Sequence, residues 1–416
     1  MSEPPNIVLV TIDSLRADHC SFMGYEEQTT PTLDTMAAEG ARFEHAIAPG
    51  PSTPESMPAV FTGRYPANYI DPADVGEART RIGHHMRTRE TLPERLSRRG
   101  YATAGFTPNP YTSRHFGFEA GFDRFEDFSD SGVRTAGDGL LQRLSPNSDA
   151  AQAARMLVNL LQREEVFKPW DAYADDVAAW IDAATAPYFV WVHMMDPHVP
   201  YMAPGSHRRL NWWQTFRANM AFWRGDKEAG LDPAVLDRLR MAYDDTVRYT
   251  DAFLDRLRSM TDDRTALVVH ADHGEAFGEH GTYGHEPYLY EENIHVPLVV
   301  TGVPSATVER PVSLRALPSL TERLADGDWD PHVAESSFTV SRTAGGERVA
   351  LRSQRLKYIR GPGETELYDL ARDEHERLGD ERLYDVCRDR LGRFDADFAE
   401  ARAVYDAAKQ FPDVDA

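Results

Sequence analysis

The chain has 416 residues, 41% hydrophobic and 10% aromatic, which is enough for a large core and excludes a disordered chain. Asp and Glu number 67 against 45 Lys and Arg, a formal net charge of −22, so nucleic acid is not expected as a partner. The acids are spread along the chain rather than gathered in a tail, which favours adaptation to strong salt over a dedicated cation surface.

Met1-Ser-Glu-Pro-Pro5 has no basic region followed by an apolar one, and no apolar stretch nears the roughly 20 residues that span a bilayer. A cytoplasmic protein without a membrane span is expected. Asn6-Ile-Val-Leu-Val-Thr-Ile-Asp13 is a β-branched apolar run closing on an acid, the pattern of a central parallel strand buried on both faces. Helical spacing follows over 31–40. Then comes Gly50-Pro-Ser-Thr-Pro-Glu-Ser-Met-Pro-Ala-Val-Phe-Thr-Gly63, where Thr53, Pro54 and Glu55 read as N-cap, first helical residue and first-turn acid. A helix N-terminus also attracts anions, and a metal-bound hydroxyl there can ionise and attack phosphorus or sulfur.

Helical spacing returns at 91–99, 149–163 and 171–184. Regions near 120–185 and 202–260 read as helical or lid-like insertions. Trp212-Trp213…Phe216…Phe222-Trp223 is read as core packing, with an apolar substrate wall as the alternative. Tyr188-Phe-Val-Trp-Val-His193 and Thr265-Ala-Leu-Val-Val-His-Ala271 repeat the buried-strand pattern, and a long helix at 233–259 lies between them. Strands alternating with helices define an α/β fold: a three-layer sandwich around a mostly parallel sheet. Short alternating runs over 338–372 and helical spacing from about 380 add a small antiparallel lobe with a helix. The expected division is 1–309 for the catalytic domain and 310–416 for the lobe. Cys20 and Cys387 suggest neither a disulfide framework nor a zinc site.

Ligands of open α/β sheets bind at the carboxyl ends of the strands. Asp13 and Asp272 stand there, followed by His273, and together they suit one divalent ion: Ca²⁺, Mg²⁺ or Mn²⁺. Seven histidines fall late: His193, His198, His270, His273, His280, His285 and His295. His198 sits in a proline-framed turn after a strand, where it can bind an oxyanion or protonate a leaving oxygen. A Gly-rich loop presents His280 and His285.

These segments carry a resemblance. Asn6–Asp18, Phe61-Thr-Gly-Arg-Tyr-Pro66, Asp196-Pro-His-Val-Pro200, Ala271-Asp-His-Gly-Glu…Gly-Glu-His-Gly281, Tyr290–Leu298 and Leu356–Leu370 resemble, in order and spacing, the sulfatase family of the alkaline phosphatase superfamily. The resemblance implies Asp13, Thr53, Asp272 and His273 around one divalent metal, His198 and His285 at the substrate oxyanion, and His280 beside the substrate. It implies a metal-dependent hydrolase of sulfate or phosphate esters.

The departures concern the nucleophile. Family members convert a Cys or Ser to formylglycine; counting back from Thr62-Gly63 places Thr53 there, and threonine cannot be converted. Ser52 is the fallback. Met57 stands at the motif's arginine and Ser14 at its second strand-end acid. Asn109, in Phe106-Thr-Pro-Asn-Pro110, takes the place of an absent lysine as donor to the oxyanion. A covalent threonine intermediate is therefore expected, on a small anionic ester or a glycan- or lipid-linked one. Glu275 or Glu279 would steady ligand histidines. The alternatives are a phosphoglycerol- or phosphoethanolamine-type transferase or phosphodiesterase, and a catalytically inactive binding protein of the same fold.

Overall fold

A computed structural model describes residues 4–66, 75–128, 168–225, 227, 229–285 and 287–408. The expected helix at 149–163 lies outside them, as does the middle of the 120–185 region. The main sheet has eight strands, in the order Ala306–Val308, Ala41–Phe43, Leu298–Val300, Thr265–Ala271, Asn6–Ile12, Tyr188–Met194, Ala102–Thr107 and Arg124–Asp127. Only Leu298–Val300 runs against its neighbours. The three strands legible as continuous apolar runs are its centre, and every residue of each is buried. Burial on both faces is why they carry no polar alternation.

Register brings the site together. Thr11 lies opposite His193 on one side and His270 on the other, and Ile12 lies opposite Met194 and Ala271. Asp13 and Asp272 therefore leave the sheet at the same edge. Their amides stay tied across it, Asp13 N to Met194 O at 2.9 Å and Asp272 N to Ile12 O at 3.4 Å.

The helix Thr53–Thr62 is buried along its whole length. Its Phe61 ring meets Trp191 at 4.7 Å and Phe118 at 5.2 Å, which clamps the helix to the sheet. The expected cap is corrected here: Ser52, in extended conformation, is the N-cap residue and Thr53 is the first helical residue. The Ser52 hydroxyl donates to Glu55 Oε2 (3.0 Å). With Ser52 in the cap position, the Thr53 hydroxyl is free to face the strand ends.

Beyond the main sheet, Val312–Ser313 still pairs with Ala46–Ile47. The antiparallel lobe begins at Thr339 and adds strands in sequence to Arg377. The helix Glu381–Ala408 covers it, burying Cys387 and Leu391 against Val349, Leu351 and Leu367. A buried ion cluster fastens the lobe to the main body: Lys357 and Arg352 both reach Glu291, at 2.8 and 3.0 Å. Each cation would be costly there without that carboxylate.

Candidate active site at the strand ends

The turn after the first strand sets the geometry. Ser14 has φ 63, a left-handed conformation uncommon for a residue with a Cβ. It is held by Tyr243 on the helix Pro233–Met260, whose hydroxyl donates to Ser14 O (2.7 Å) and accepts from Arg16 N (2.9 Å). Ser14 Oγ donates to Asp13 Oδ1 (3.0 Å) and its N–H reaches Asp272 Oδ1 (3.4 Å). Both carboxylates are thus oriented by one residue. Nearby, Gly274 is required by close approach: a Cβ there would stand 2.1 Å from Glu292 O.

Around the carboxylates stand a hydroxyl, an amide and two imidazoles. Thr53 Oγ1 is 3.4 Å from Asp13 Oδ2 and 3.4 Å from His273 Nε2. Asn109 Nδ2 donates to Asp13 Oδ2 (2.7 Å) and lies 3.4 Å from Thr53 Oγ1. His273 Nε2 lies 3.4 Å from Asp13 Oδ1 and 3.7 Å from Asp272 Oδ2. His273 Nδ1 donates to Gly274 O (2.9 Å), which leaves Nε2 turned to the carboxylates.

His193 was visible among the late histidines but had no role in the sequence reading. It is fully buried on the strand Tyr188–Met194, with Nε2 3.5 Å from Asp13 Oδ2 and Nδ1 3.1 Å from Thr112 Oγ1. A lone histidine near the end of an otherwise apolar strand was the available signal. Ligand atoms of Asp13, His193 and Asp272 lie within 4.8 Å of one another.

These residues fit a divalent cation. Asp272 Oδ2 and His193 Nε2 are buried and accept or donate no hydrogen bond. Orphaned buried polar atoms call for a partner, and two carboxylates with imidazole nitrogens form a hard, mixed O/N donor set.

The charges are strongly coupled. Burial raises the Asp13 carboxyl, but His198, His193 and His273 outweigh it and hold Asp13 well below the usual range. Burial keeps Asp272 raised, and the neighbouring Asp13 charge adds to this. Burial disfavours the His273 cation, yet Asp272 and Asp13 drive it up to about 10.

Two further imidazoles form a row beside His273. The His285 ring is 5.1 Å from His273 and 4.9 Å from His198. His285 Nδ1 lies 3.4 Å from Glu275 Oε1, so Glu275 steadies a histidine. Glu279 instead pairs with Arg16 at 3.0 Å and braces the Ser14 turn. His198 Nδ1 donates to Val199 O (2.7 Å), and burial depresses its pKa.

His280, expected at the substrate, is held elsewhere: it stacks on Tyr290 at 3.9 Å and bonds Glu292 Oε1 at 3.0 Å. His270 and His295 are also structural. His270 bonds Thr11 Oγ1 (2.9 Å) and Ala271 O (3.0 Å), and His295 bonds Glu44 O (2.8 Å). Glu55 was missed as a link between lobes. Its Oε1 accepts from Ala344 N (2.5 Å), and burial raises it to about 7.

The open, mostly parallel sheet thus carries carboxylates, imidazoles and a helix-borne hydroxyl at its carboxyl edge. Residues 5–313 match the family described as Sulfatase, and the chain belongs to that family. Human iduronate 2-sulfatase is 22% identical over 74% of this chain and 61% of its own length. Human N-acetylgalactosamine-6-sulfatase is 33% identical over 24% of this chain, and the match spans only 20% of that relative. Among solved structures, phosphonate monoester hydrolase of Agrobacterium radiobacter superposes with a TM-score of 0.63 at 19% identity, covering 96% of each chain. A 2-O GAG sulfatase superposes with a TM-score of 0.65 at 16% identity, covering 97% of this chain and 94% of its own. At these identities the structures establish the fold alone. Among the described residues, no helix is long and apolar enough to cross a membrane.

Proposed function

We propose that the protein is a metal-dependent hydrolase of sulfate or phosphate esters, with Thr53 as an unmodified nucleophile. The observation that carries the reading is Thr53 Oγ1 at 3.4 Å from both Asp13 and His273, beside the orphaned Asp272 Oδ2. Asp13, Asp272, His193 and His273 would hold the metal. When bound, a divalent ion lowers the pKa of a hydroxyl and neutralises ester oxygens.

The rest follows from the chain's own groups. Asp13 Oδ2 is an acceptor within reach of the Thr53 proton. Thr53 Oγ attacks sulfur or phosphorus in line, forming the threonine ester as the bond to the leaving oxygen breaks. Asn109 Nδ2 steadies Asp13 and Thr53 and stands close enough to meet an equatorial oxygen. His198 and His285 face the anion, and one of them donates a proton to the leaving oxygen. Water then hydrolyses the threonine ester and regenerates the hydroxyl.

The test is a matrix of aryl sulfate, phosphate monoester, phosphodiester and phosphonate against Mg²⁺, Mn²⁺ and Ca²⁺. Thr53→Ala should abolish turnover while metal binding is only weakened, and intact-mass analysis should find residues 50–64 unmodified. Full activity of Thr53→Ala, or an aldehyde at Ser52, would sink the nucleophile assignment. Product that forms only with an added alcohol acceptor would replace hydrolysis by group transfer. No cleavage in any cell of the matrix would leave a binding protein of sulfatase fold.

A further inference from the structure

The segment 197–225 contains no Asp or Glu, in a chain with 67 of them. It carries His198, His207, Arg208, Arg209, Arg217 and Arg224. Arg209 is neutralised by Asp245, Asp244 and Glu27. Arg208, Arg217 and Arg224 have no carboxylate partner among the described residues, and Arg208 Nε is buried without a hydrogen bond. Surface arginines elsewhere are commonly paired, as Arg99 is with Asp326 and Arg258 with Glu39. Three guanidiniums without a carboxylate partner, on a stretch of 29 residues free of acids, form a local concentration of positive charge on an otherwise acidic protein.

The same strip is aromatic. On the helix Trp212–Arg224, Trp212 and Phe216 stack at 5.2 Å with 3° between planes, and Trp213 stands edge-on to both. Trp213 is 66% exposed and Trp223 38%. The expectation of core packing therefore fails for these rings; Phe222 alone of the five is buried. Trp213, Arg217 and Arg224 repeat at spacings of four and seven, so they share one stripe. The opposite face carries Thr215, Asn219 and Phe222 and is buried.

That inner face is bound to the active-site elements. Asn219 accepts from Tyr201 N (2.9 Å) and donates to Tyr201 O (3.1 Å), three residues beyond His198. Phe222 packs on Tyr201 at 6.4 Å, and a Cβ on Gly284, next to His285, would touch its ring at 3.8 Å. The helix rides on the two segments that present His198 and His285. Trp213 is roughly 9 Å along its axis from Asn219.

The geometry points to an extended subsite on this outer face, which binds the sugar rings and further anionic groups of a saccharide chain carrying the ester to be cleaved. Flat rings stack on the exposed indoles, and the unpaired guanidiniums take the anions. A single saccharide strand meets only this strip. An extended anionic membrane would face the repulsion of the whole −22 chain. The inference deepens the proposed function, yet it is read by binding and needs no turnover.

The experiment uses the full chain in several salt concentrations, with short dextran sulfate, neutral dextran of the same length and phosphatidylglycerol vesicles as probes. Binding is followed by calorimetry. Wild type should bind dextran sulfate saturably and at least tenfold more tightly than dextran. Trp213→Ala with Arg217→Gln should lose at least tenfold in dextran sulfate affinity, with an unchanged circular dichroism spectrum. Hydrolysis of a small aryl ester should stay within twofold. Equal affinity of variant and wild type overturns the subsite. So does variant-sensitive binding to vesicles without binding to dextran sulfate, which would make the face a membrane contact. Failure of every small-ester assay would instead refute the hydrolase reading and leave the binding result standing.

Discussion

Tyr243→Phe tests whether a distant helix builds the site. The substitution keeps the buried ring and removes one hydroxyl. That hydroxyl serves two backbone groups of the Ser14 turn, Ser14 O at 2.7 Å and Arg16 N at 2.9 Å. Tyr243, Ser14 and Arg16 are all buried, so water does not replace it. Leaving a buried group unsatisfied costs about 1–3 kcal/mol. Two such groups, with partial relaxation of a turn already in the left-handed region, give about 2–4 kcal/mol. Chemical denaturation should show this loss, and the Arg16 amide should exchange with solvent far faster than in wild type. Because Ser14 orients Asp13 and Asp272, Mn²⁺ affinity should fall by about 10- to 100-fold. A loss under about 0.5 kcal/mol with unchanged Arg16 exchange would refute the claim that Tyr243 holds the turn.

Three other outcomes follow from the charges. Burial lifts Glu55 from about 4.5 to about 7, so the folded state keeps a proton that the unfolded chain has released. Stability should therefore fall as pH rises from 4.5 to 7; Glu55→Gln should flatten that slope and gain up to about 3 kcal/mol above pH 7. A steeper slope in the variant would contradict the burial argument. With His273 raised to about 10 by the carboxylates, metal uptake at pH 8 should release about one proton and affinity should climb with pH. Calorimetry in buffers of different ionisation enthalpy measures the release, and none would remove His273 from the ligand set. Finally, the net charge of −22 predicts that raising KCl from 0.1 to 1 M, where screening shortens from about 10 to 3 Å, raises the thermal midpoint. An unchanged midpoint would leave the acid excess without a stabilising role for salt.

The central strands and their acids were legible because burial on both faces forces an unbroken apolar run, and an acid ending such a run stands out. Asp13, Asp272 and the adjacent His273 could be named for that reason, Thr53 came from the helix start and its distance from Thr62-Gly63, and the order of motifs placed the chain in its family. The C-terminal lobe was legible from period-two alternation, though its last strand, Asp373–Arg377, was not, because its run of charges hides that alternation.

Other features depended on neighbours distant in sequence. His193 joins the candidate metal site only because strand register sets it opposite Thr11, next to Asp13. Tyr243 matters only because a helix 229 residues beyond Ser14 returns to the same turn. His280 and His285 sit in one Gly-rich loop with equal local claims, yet His280 stacks on Tyr290 while His285 lies beside Glu275 and the His273 ring. Ser52 and Thr53 were likewise separated only by backbone conformation at the helix start. Local pattern marks the doubly buried central strands and the amphipathic helices. Which of them meet is set by strand register and by long-range hydrogen bonds, and neither has a local signature in the chain.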